Sequence, residues 1–400
     1  MIINRWMLFS DFFDNEKTGG LILIFCTAIS ISVANLSSVG NDYSAFWQRH
    51  IDLSLFNIDL NYSIERFIND GLMALFFLFV GLEIKREFYK GELSDVRHAL
   101  LPIAAALGGM VVPALIHLSF NIGTPTQSGF GIPMATDIAF SLGVLSLMGS
   151  KIPSSLKVFL TALAIMDDLG AVIIIALFYT NGIFVLYLGA AMTIFGVLFA
   201  LNRLGVTNLM FYILPGMVMW YFMLKSGVHA TIAGVLLAFA IPFRNGDQHS
   251  PSSLMLKFLN KPVPFLILPI FAIANTCIIF SSDWYLSLTA SNNMGIMAGL
   301  VLGKPLGILL FSLIAVRMGI CKIPRDLNLC HLIGGGVLAG IGFTISIFIA
   351  DIAFAEGILI TNSKVAILTA SSIAGVAGFL FLSVTAKTPC CRSLLKKDAR

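Results

Sequence analysis

Long uninterrupted runs of apolar residues, separated by short polar stretches, dominate the pattern along the chain. A helix of about 20 residues crosses the roughly 30 Å apolar layer of a bilayer. The pattern therefore predicts an all-α polytopic membrane protein with twelve transmembrane helices. The predicted spans are 20–39, 64–88, 100–120, 128–148, 154–178, 183–202, 208–224, 226–243, 263–280, 294–316, 330–353 and 364–385.

Two shorter elements are predicted outside the spans. Residues 4–15 have the pattern of an amphipathic surface helix, and acidic residues stand where a cleavable signal would need a basic and then an apolar region, so we expect no signal. Between the first two spans, residues 51–62 alternate apolar and polar side chains, which predicts a small external β-hairpin, with an irregular loop as the alternative.

The distribution of positive charge supports this arrangement. Of 25 Lys and Arg residues, 20 fall on one side of the twelve-helix arrangement and Lys304 falls inside a span. The remaining four are Arg49, Arg66, Lys225 and Lys364. By the positive-inside rule, both termini are predicted to be cytoplasmic.

Composition excludes several classes of protein. The chain is 58% hydrophobic and 12% charged, against roughly 25% charged residues in a soluble domain. The net charge is +4, without a basic stripe that would indicate nucleic-acid binding. The six cysteines have no metal-binding or redox spacing. We therefore predict neither a nucleic-acid partner nor a cofactor.

Two spans contain residues that interrupt helices. The fourth span carries Gly129, Gly131 and Pro133, and the eleventh carries five glycines between positions 334 and 342. Breaks inside a membrane are tolerated where protein or a water-filled cavity satisfies the freed backbone groups. Residues 136–140 also resemble residues 344–348. These features predict two crossing broken helices in an inverted-topology repeat of helices 3–5 and 10–12.

Ionisable residues are predicted to meet near the middle of the membrane. Asp167 and Asp168 are the only charges in the run 158–178, and such groups cost roughly 2.5 kcal/mol or more at a helix centre, so they usually mark an ion or proton path. Asp137 and Asp167 are each fifteen residues from the intervening loop near position 152, and Lys304 lies at the middle of its own span. Three carboxylates and one ammonium group therefore converge at one depth.

Carboxylates, the Thr136 hydroxyl and carbonyl groups freed at a helix break suit a small hard cation. A carboxylate that holds either a proton or a cation, combined with alternating access, gives cation–proton exchange. Asp137 has an alternative role, in which it neutralises helix ends without touching an ion, as Lys304 could also do.

At these residues the chain resembles the NhaA family of bacterial sodium/proton antiporters over nearly its whole length. The resemblance rests on several motifs in the same order, at 81–87, 135–140, 164–170, 226–231, 303–307 and 340–348. It implies pH-regulated, electrogenic export of sodium or lithium in exchange for protons, which supports pH homeostasis and salt tolerance. It also implies a homodimer joined partly by an external hairpin, which 51–62 resembles.

The resemblance also implies roles for individual residues. Asp168 would be the central sodium ligand and proton carrier, with Asp167 beside it and paired with Lys304 in one protonation state. Asp137 and Thr136 would lie at the crossing of the broken helices and assist ion binding. Glu83, Arg86, Glu87 and His229 match positions tied to the pH response; their alternative roles are a solvated ion-pair face and a packing histidine.

The expected domain organisation follows. Helices 3–5 and 10–12 form two core repeats, and the other helices form an interface domain that carries the dimer contacts. The boundaries are 1–98 for the N-terminal helix, helices 1–2 and the hairpin, 99–180 for helices 3–5, 181–290 for helices 6–9, 291–386 for helices 10–12 and 387–400 for a cytoplasmic tail.

Two other functions stay open at this point. A sodium-coupled organic-anion symporter could share the architecture, but it has less use for a mid-membrane lysine beside the acidic pair. An intramembrane aspartyl protease could use two carboxylates that share a proton, but the Gly-x-Gly-Asp pattern of those proteases is missing.

One departure from the family pattern generates a prediction. Well-known members carry a glutamate and two histidines before helix nine, where this chain has Leu256, Lys257 and Asn260. We expect exchange with a displaced or less steep pH dependence, measured as the exchange rate of the purified protein in vesicles across pH. A steep alkaline activation would contradict this expectation.

Overall fold

A computed structural model describes residues 16–52, 61–91, 94, 96–149, 152–180, 182–244, 249–280, 283–324 and 326–385. The predicted surface helix at 4–15 and the predicted tail at 387–400 lie outside the described residues. So do residues 53–60, which form most of the predicted hairpin.

The described chain is mostly helical. Two short strands and one 3-10 helix, Pro125–Met134, accompany the α-helices. The strands are β1 His50–Asp52 and β2 Asn61–Ser63. The helices are α1 Glu16–Ala34, α2 Gly40–Gln48, α3 Ile64–Lys90, α4 Val96–Asn121, α5 Ile138–Ser146, α6 Ser154–Phe178, α7 Val185–Arg203, α8 Met210–Ser226, α9 Thr231–Ala240, α10 Pro251–Asn275, α11 Trp284–Ser287, α12 Ser291–Arg317, α13 Leu329–Ala339, α14 Phe343–Ala353 and α15 Gly357–Thr385.

The lengths of these helices identify a multi-pass membrane protein. Within the described residues, seven helices are long and apolar enough to cross a membrane, or up to nine if each of two bent pairs is one span. Every predicted span overlaps at least one of the fifteen α-helices named above. The number of spans that length and composition support is nevertheless smaller than the predicted twelve, because α8, α9 and the apolar part of α1 are each shorter than a full span.

The two predicted broken helices are confirmed. The 3-10 helix and α5 form one bent pair, with an angle of 42°, and α13 and α14 form the other, with an angle of 45°. The first half of the first pair, Pro125–Met134, is a 3-10 helix and not an α-helix. Glycine and proline are the poorest α-helix formers, and Gly129, Gly131 and Pro133 lie within these ten residues. In both pairs, the helical backbone hydrogen bonds are interrupted at or just before polar residues, which are Thr136 and Asp137 in the first pair and Thr344 in the second.

The predicted pairing of two short strands is also confirmed. Strands β1 and β2 are antiparallel, with Ile51 opposite Tyr62 and His50 opposite Ser63. The Arg66 guanidinium lies over the Tyr62 ring at 4.6 Å and so connects β2 to the first turn of α3.

Some helix boundaries differ from the prediction. Helix α10 begins at Pro251 rather than 263, because a π-helical turn at Val263–Ile267 carries the chain past Pro262 and Pro264 without ending the helix. Proline cannot supply the usual hydrogen bond, and a wider turn absorbs the loss. Helix α15 begins at Gly357 rather than 364, which lengthens the last span to 29 residues.

The chain divides into two compact units. Unit 1 takes in Met1–Leu21, Glu92–Ala171 and Ser282–Arg400, and unit 2 takes in Ile22–Gly91 and Val172–Ser281, as far as these ranges are described. Both bent pairs belong to unit 1. Within unit 2, the Asn69 and Asn275 side chains exchange two hydrogen bonds of 3.1 and 2.7 Å between α3 and α10.

Close packing in unit 1 depends on paired glycines. A Cβ atom added to Gly108 of α4 would lie 2.1 Å from the carbonyl oxygen of Gly307 in α12, and the reverse substitution meets the Gly108 oxygen at the same distance. The two backbones therefore touch without intervening side chains, which fixes the position of α12 and of the lysine it carries.

This contact predicts the effect of one added methyl group. Gly108→Ala should lower the thermal stability of the purified protein by about 1–3 kcal/mol, since overpacking forces the helices apart. Gly189→Ala is the matched control, because Gly189 lies on the exposed face of α7 with no atom within 4 Å of an added Cβ. Equal melting temperatures for the two variants would contradict the close approach of α4 and α12.

Candidate functional site

A buried ion pair joins α6 to α12 inside unit 1. Lys304 Nζ lies 2.7 Å from Asp167 Oδ2, and both side chains are 0% exposed. Asp167 lies near the middle of α6, and Lys304 follows directly on a π-helical turn, Gly299–Gly303. Removing two charges from water is costly, so such a pair persists only with close geometry and additional hydrogen bonds.

The neighbouring carboxylate has a separate position. Asp168 is buried at 2% exposure and lies close enough to Lys304 for Coulombic attraction. Consecutive helical residues diverge by about 100°, so Asp167 and Asp168 face different directions from the same helix. The ammonium group is thus attracted to both carboxylates but makes its close ion pair with Asp167.

The break in the first bent pair supplies two more groups. The Lys304 ammonium donates a hydrogen bond to the carbonyl oxygen of Met134, the last residue of the 3-10 helix. Thr136 Oγ1 lies 2.6 Å from Asp167 Oδ2 and 3.0 Å from the carbonyl oxygen of Ala339, at the end of α13. One hydroxyl group therefore touches the acidic side chain and the second bent pair together.

Asp137 makes its contacts with helix ends. Its Oδ1 accepts the Phe140 N–H at 2.9 Å and so caps α5. Its Oδ2 accepts the Thr344 hydroxyl at 2.6 Å and the Thr344 N–H at 3.1 Å, in the first turn of α14. One carboxylate is thus bonded to the N-terminal turn of the second half-helix in each bent pair.

These contacts match the partial charges of the helix ends. Helix N-termini carry partial positive charge and C-termini partial negative charge. The Asp137 carboxylate lies at two N-termini, and the Lys304 ammonium lies at the C-terminus of the 3-10 helix. The backbone N–H of Asp137 also donates to the carbonyl oxygen of Ile341 at 2.6 Å, which ties the two breaks directly together.

The resulting group of atoms is rich in oxygen. Carboxylate oxygens of Asp167 and Asp168, the Thr136 hydroxyl and carbonyl groups at the breaks are ligands that small hard cations prefer. Asp167 Oδ1 has no hydrogen-bond partner among the described residues. The site therefore offers acceptor oxygens to a cation. The Lys304 ammonium already supplies one positive charge beside these oxygens.

Comparison with known proteins identifies the family to which this chain belongs. The family model for Na+/H+ antiporter 1 matches residues 10–382. The chain belongs to the Na+/H+ antiporter 1 family. It is 58% identical to a Na(+)/H(+) antiporter NhaA of Dechloromonas aromatica over 94% of this chain and 95% of the relative. It is 56% identical to one of Cytophaga hutchinsonii over 98% of both chains, and 46% identical to one of Klebsiella pneumoniae over 93% of this chain and 95% of the relative.

Family membership confirms the resemblance read from the motifs. The residues that the resemblance ties to pH regulation of the Na+/H+ antiporter family all lie in unit 2. Arg86 pairs with Glu83 at 3.2 Å and with Glu87 at 3.0 Å on α3. His229 Nε2 lies 2.9 Å from the carbonyl oxygen of Tyr179, between α8 and α9. The ion pair and Asp137, in contrast, lie in unit 1.

The positions that depart from the family pattern lie on α10, which contacts α3. Leu256 is buried and Lys257 is exposed. The Asn260 N–H donates a 2.9 Å hydrogen bond to the Leu256 carbonyl oxygen. A buried leucine cannot titrate, which agrees with the expectation of an altered pH profile in this member of the Na+/H+ antiporter family.

Some groups in the site carry no specific signal in the sequence. Thr344 belongs to the repeat of residues 136–140 and 344–348, but a repeat does not predict its bond to Asp137. The carbonyl groups of Met134 and Ala339 could not be identified, because every residue carries a carbonyl and only the bend shows which ones are directed at the site. The broken-helix pattern was the available signal for them.

The ion pair generates a prediction about stability. Lys304→Met should destabilise the purified protein by about 3–5 kcal/mol, because it leaves a buried charge without its partner. Asp167→Asn combined with Lys304→Met should recover part of the loss, since no unpaired charge is then left at this pair. Thermal unfolding in detergent measures both effects.

The matched control for this prediction is a partly exposed pair. Arg66 lies 3.6 Å from Asp70, with 62% of the arginine side chain exposed. Arg66→Met should therefore cost about 1 kcal/mol or less. A Lys304→Met loss no larger than that of Arg66→Met would show that the buried pair is not a strong determinant of stability.

Proposed function

We propose that this protein is a secondary active antiporter that exports sodium or lithium in exchange for protons across the bacterial inner membrane. The observation that carries the proposal is an oxygen-rich site with a buried Asp167–Lys304 pair, in a chain of the Na+/H+ antiporter 1 family. The transported ions are the cargo, and we expect no cofactor. The protein is a transporter and not an enzyme.

Competition for the same oxygens provides the exchange step. Asp168 is the proposed exchange site, which holds either a proton or a sodium ion, with Thr136 beside it. A cation that enters between Asp167 and Asp168 weakens the attraction that holds the Lys304 ammonium, because its positive charge repels the lysine. Loss of a proton from Lys304 together with loss of the Asp168 proton exchanges two protons for each sodium ion, so one net charge crosses the membrane in each cycle and the exchange is electrogenic.

Asp137 has a distinct proposed role. Its two oxygens already accept bonds from the N-terminal turns of α5 and α14. These contacts favour a function in which Asp137 balances the helix ends and sets the shape of the site. Direct ligation of the ion by Asp137 stays a prediction.

The finer topology belongs to the same proposal. We infer twelve spans, with both termini cytoplasmic, and an inverted repeat of helices 3–5 and 10–12 as the moving core. The division of the described chain into two units supports this assignment, since unit 1 holds α4 to most of α6 and α12 to α15. Unit 2 is then the interface domain, with membrane lipid as its surroundings.

The interface domain carries two further assignments. The strand pair β1 and β2 is the proposed contact of a homodimer, because a short external ribbon offers unpaired strand edges. Glu83, Arg86, Glu87 and His229 are proposed to contribute to pH regulation, which supports pH homeostasis and salt tolerance in the cell.

The two alternatives are not supported. Relatives that are 55–58% identical to this chain are named Na(+)/H(+) antiporters. The buried lysine beside the acidic pair also fits proton exchange better than peptide hydrolysis, because its ammonium is bonded to Asp167, one of the two carboxylates that a protease would need to share one proton.

Proton movement in vesicles tests the proposed function. In proteoliposomes with a preset pH gradient, sodium or lithium should collapse the gradient, and Asp168→Asn should abolish the collapse because an amide cannot exchange a proton for a cation. Asp283→Asn is the matched control, since Asp283 is exposed at the start of α11 and makes no capping bond there. An unchanged response in Asp168→Asn would remove the assignment of the exchange site.

The same vesicles report electrogenicity and separate the two aspartates. The sodium-dependent rate should change when the membrane potential is clamped at different values, and indifference to potential would contradict net charge movement. In Asp167→Asn, Lys304 loses its partner, so we expect the voltage response to change together with the rate. Asp168→Asn, in contrast, should abolish exchange, so no sodium-dependent rate remains that could change with membrane potential.

A further inference from the structure

A second group of buried polar side chains lies in unit 1, away from the ion pair. His117 of α4 has no exposed surface, and its Nε2 lies 3.1 Å from Asn292 Oδ1 on α12. The Asn292 amide nitrogen is directed to Ser363 Oγ at 2.8 Å and to Asn293 Oδ1 at 3.2 Å. The amide is therefore oriented with its oxygen toward the imidazole.

This orientation determines which ring nitrogen carries the hydrogen. An amide oxygen accepts but cannot donate, so the Nε2–H of His117 donates to Asn292 and the neutral ring leaves its lone pair on Nδ1. Nδ1 has no hydrogen-bond partner among the described residues. A buried histidine that presents a bare lone pair is a site that can take up a proton.

The His117 ring lies against glycine residues of two helices, the 3-10 helix and α12. A Cβ atom on Gly129 of the 3-10 helix would lie 3.2 Å from His117 Cε1, and one on Gly295 of α12 would lie 3.0 Å from His117 Cδ2. The imidazole thus packs directly on the outer half of the first broken helix. A change in the charge or hydration of the ring must act on that half-helix.

A row of hydrogen-bonded polar side chains runs from the backbone beside this ring to the surface. Asn121 Nδ2 donates to the His117 carbonyl oxygen at 2.9 Å and lies 3.5 Å from His117 Nε2, to which it makes no hydrogen bond when Nε2 carries the hydrogen. Asn121 Oδ1 accepts the Thr126 hydroxyl at 2.8 Å, and Thr126 Oγ1 is 2.8 Å from Thr124 Oγ1. Both threonines are half-buried beside exposed residues, so polar groups continue from solvent to the immediate surroundings of the imidazole.

The surroundings of His117 contain few charges. The 3-10 helix and the part of α12 at 291–303 carry no ionisable side chain, and farther along α12 are Lys304 and Arg317. Helix α15 contributes Lys364, which follows Ser363 and pairs with Asp351 of α14 at 2.9 Å. The side chains that contact the ring are amides, so no carboxylate among the described contacts compensates an imidazolium.

We propose that His117 is a proton-binding site, reached from the outer side of the membrane, through which external acidity slows exchange. The proposal rests on the antiport activity and orientation proposed above. Protonation places a hydrogen on Nδ1, where no described acceptor lies, and water must enter to solvate the charge. Because Gly129 leaves no space beside the ring, the entering water displaces the 3-10 helix.

The displaced segment connects directly to the transport site. The carbonyl oxygen of Ile132 accepts the Ser346 hydroxyl at 2.7 Å, and that of Met134 accepts the Lys304 ammonium. Movement of the 3-10 helix therefore alters both the crossing of the broken helices and the position of the lysine. His117 is a positioning residue, which acts through the half-helix and not on the ion.

The test compares exchange at two external pH values with the internal pH held constant. His117→Gln keeps a neutral hydrogen-bond donor but does not titrate between roughly pH 5 and 8, where histidine changes charge. The ratio of rates at about pH 8 and about pH 5.5 outside should differ between wild type and His117→Gln by at least about fivefold, the lower range of allosteric coupling. The proton driving force changes equally in both proteins, so it cancels in the comparison.

His50→Gln is the matched control, because His50 is an exposed histidine in the external strand pair. Its ratio should equal that of the wild type. If the wild type exchanges ions and its ratio of rates equals that of His117→Gln, this inference is overturned and the antiporter assignment stays intact. No sodium-dependent proton movement in the wild type would instead overturn the proposed function.

A second variant tests the same site with the opposite sign. Asn292→Asp places a carboxylate near His117 Nε2 with almost no change in volume, and a nearby negative charge favours the imidazolium. The loss of activity at acid external pH should therefore begin at a more alkaline pH than in the wild type. An unshifted profile, or a response to internal instead of external pH, would contradict the proposal.

Discussion

The buried contact between Asp167 and Lys304 is the interaction on which the rest of unit 1 depends. An ammonium group and a carboxylate without exposed surface are stable only when their geometry is close and their other hydrogen bonds are made. The Thr136 hydroxyl supplies one of those bonds and the Met134 carbonyl another. Both come from the same helix break, so the ion pair and the break require each other.

Broken helices normally cost stability, because each break exposes N–H and C=O groups that a membrane cannot satisfy. Here groups at one break form hydrogen bonds with the freed backbone groups of the other. The Asp137 carboxylate bonds to the first turns of α5 and α14, and its N–H bonds to the Ile341 carbonyl. The glycines that weaken the helices also let backbones approach closely, as Gly108 and Gly307 do. The same residue type therefore creates the break and permits the packing that stabilises it.

The proposed exchange site can change its bonding with small movements of the segments around it. Its charges are held by a small number of long-range bonds, so a modest change in any supporting segment alters the balance between the lysine and a cation. The 3-10 helix is such a segment, since its carbonyl groups touch both the lysine and α14. The polar group around His117 lies against the other end of this helix, which gives regulation a physical route to the site.

The sequence by itself determined the membrane class, the two broken helices, the strand pair and the presence of Asp167, Asp168 and Lys304 within apolar spans, because hydropathy and helix-breaking residues are local properties of the chain. Tertiary structure decided that Lys304 bonds to Asp167, that Asp137 joins two helix ends, and which carbonyl groups face the site. The contacts of Lys304 and the bond from Thr344 to Asp137 join residues that are 137 to 207 positions apart. Equal depth in a membrane limits which side chains can meet, but only helix packing and the direction of each bend select the pairs.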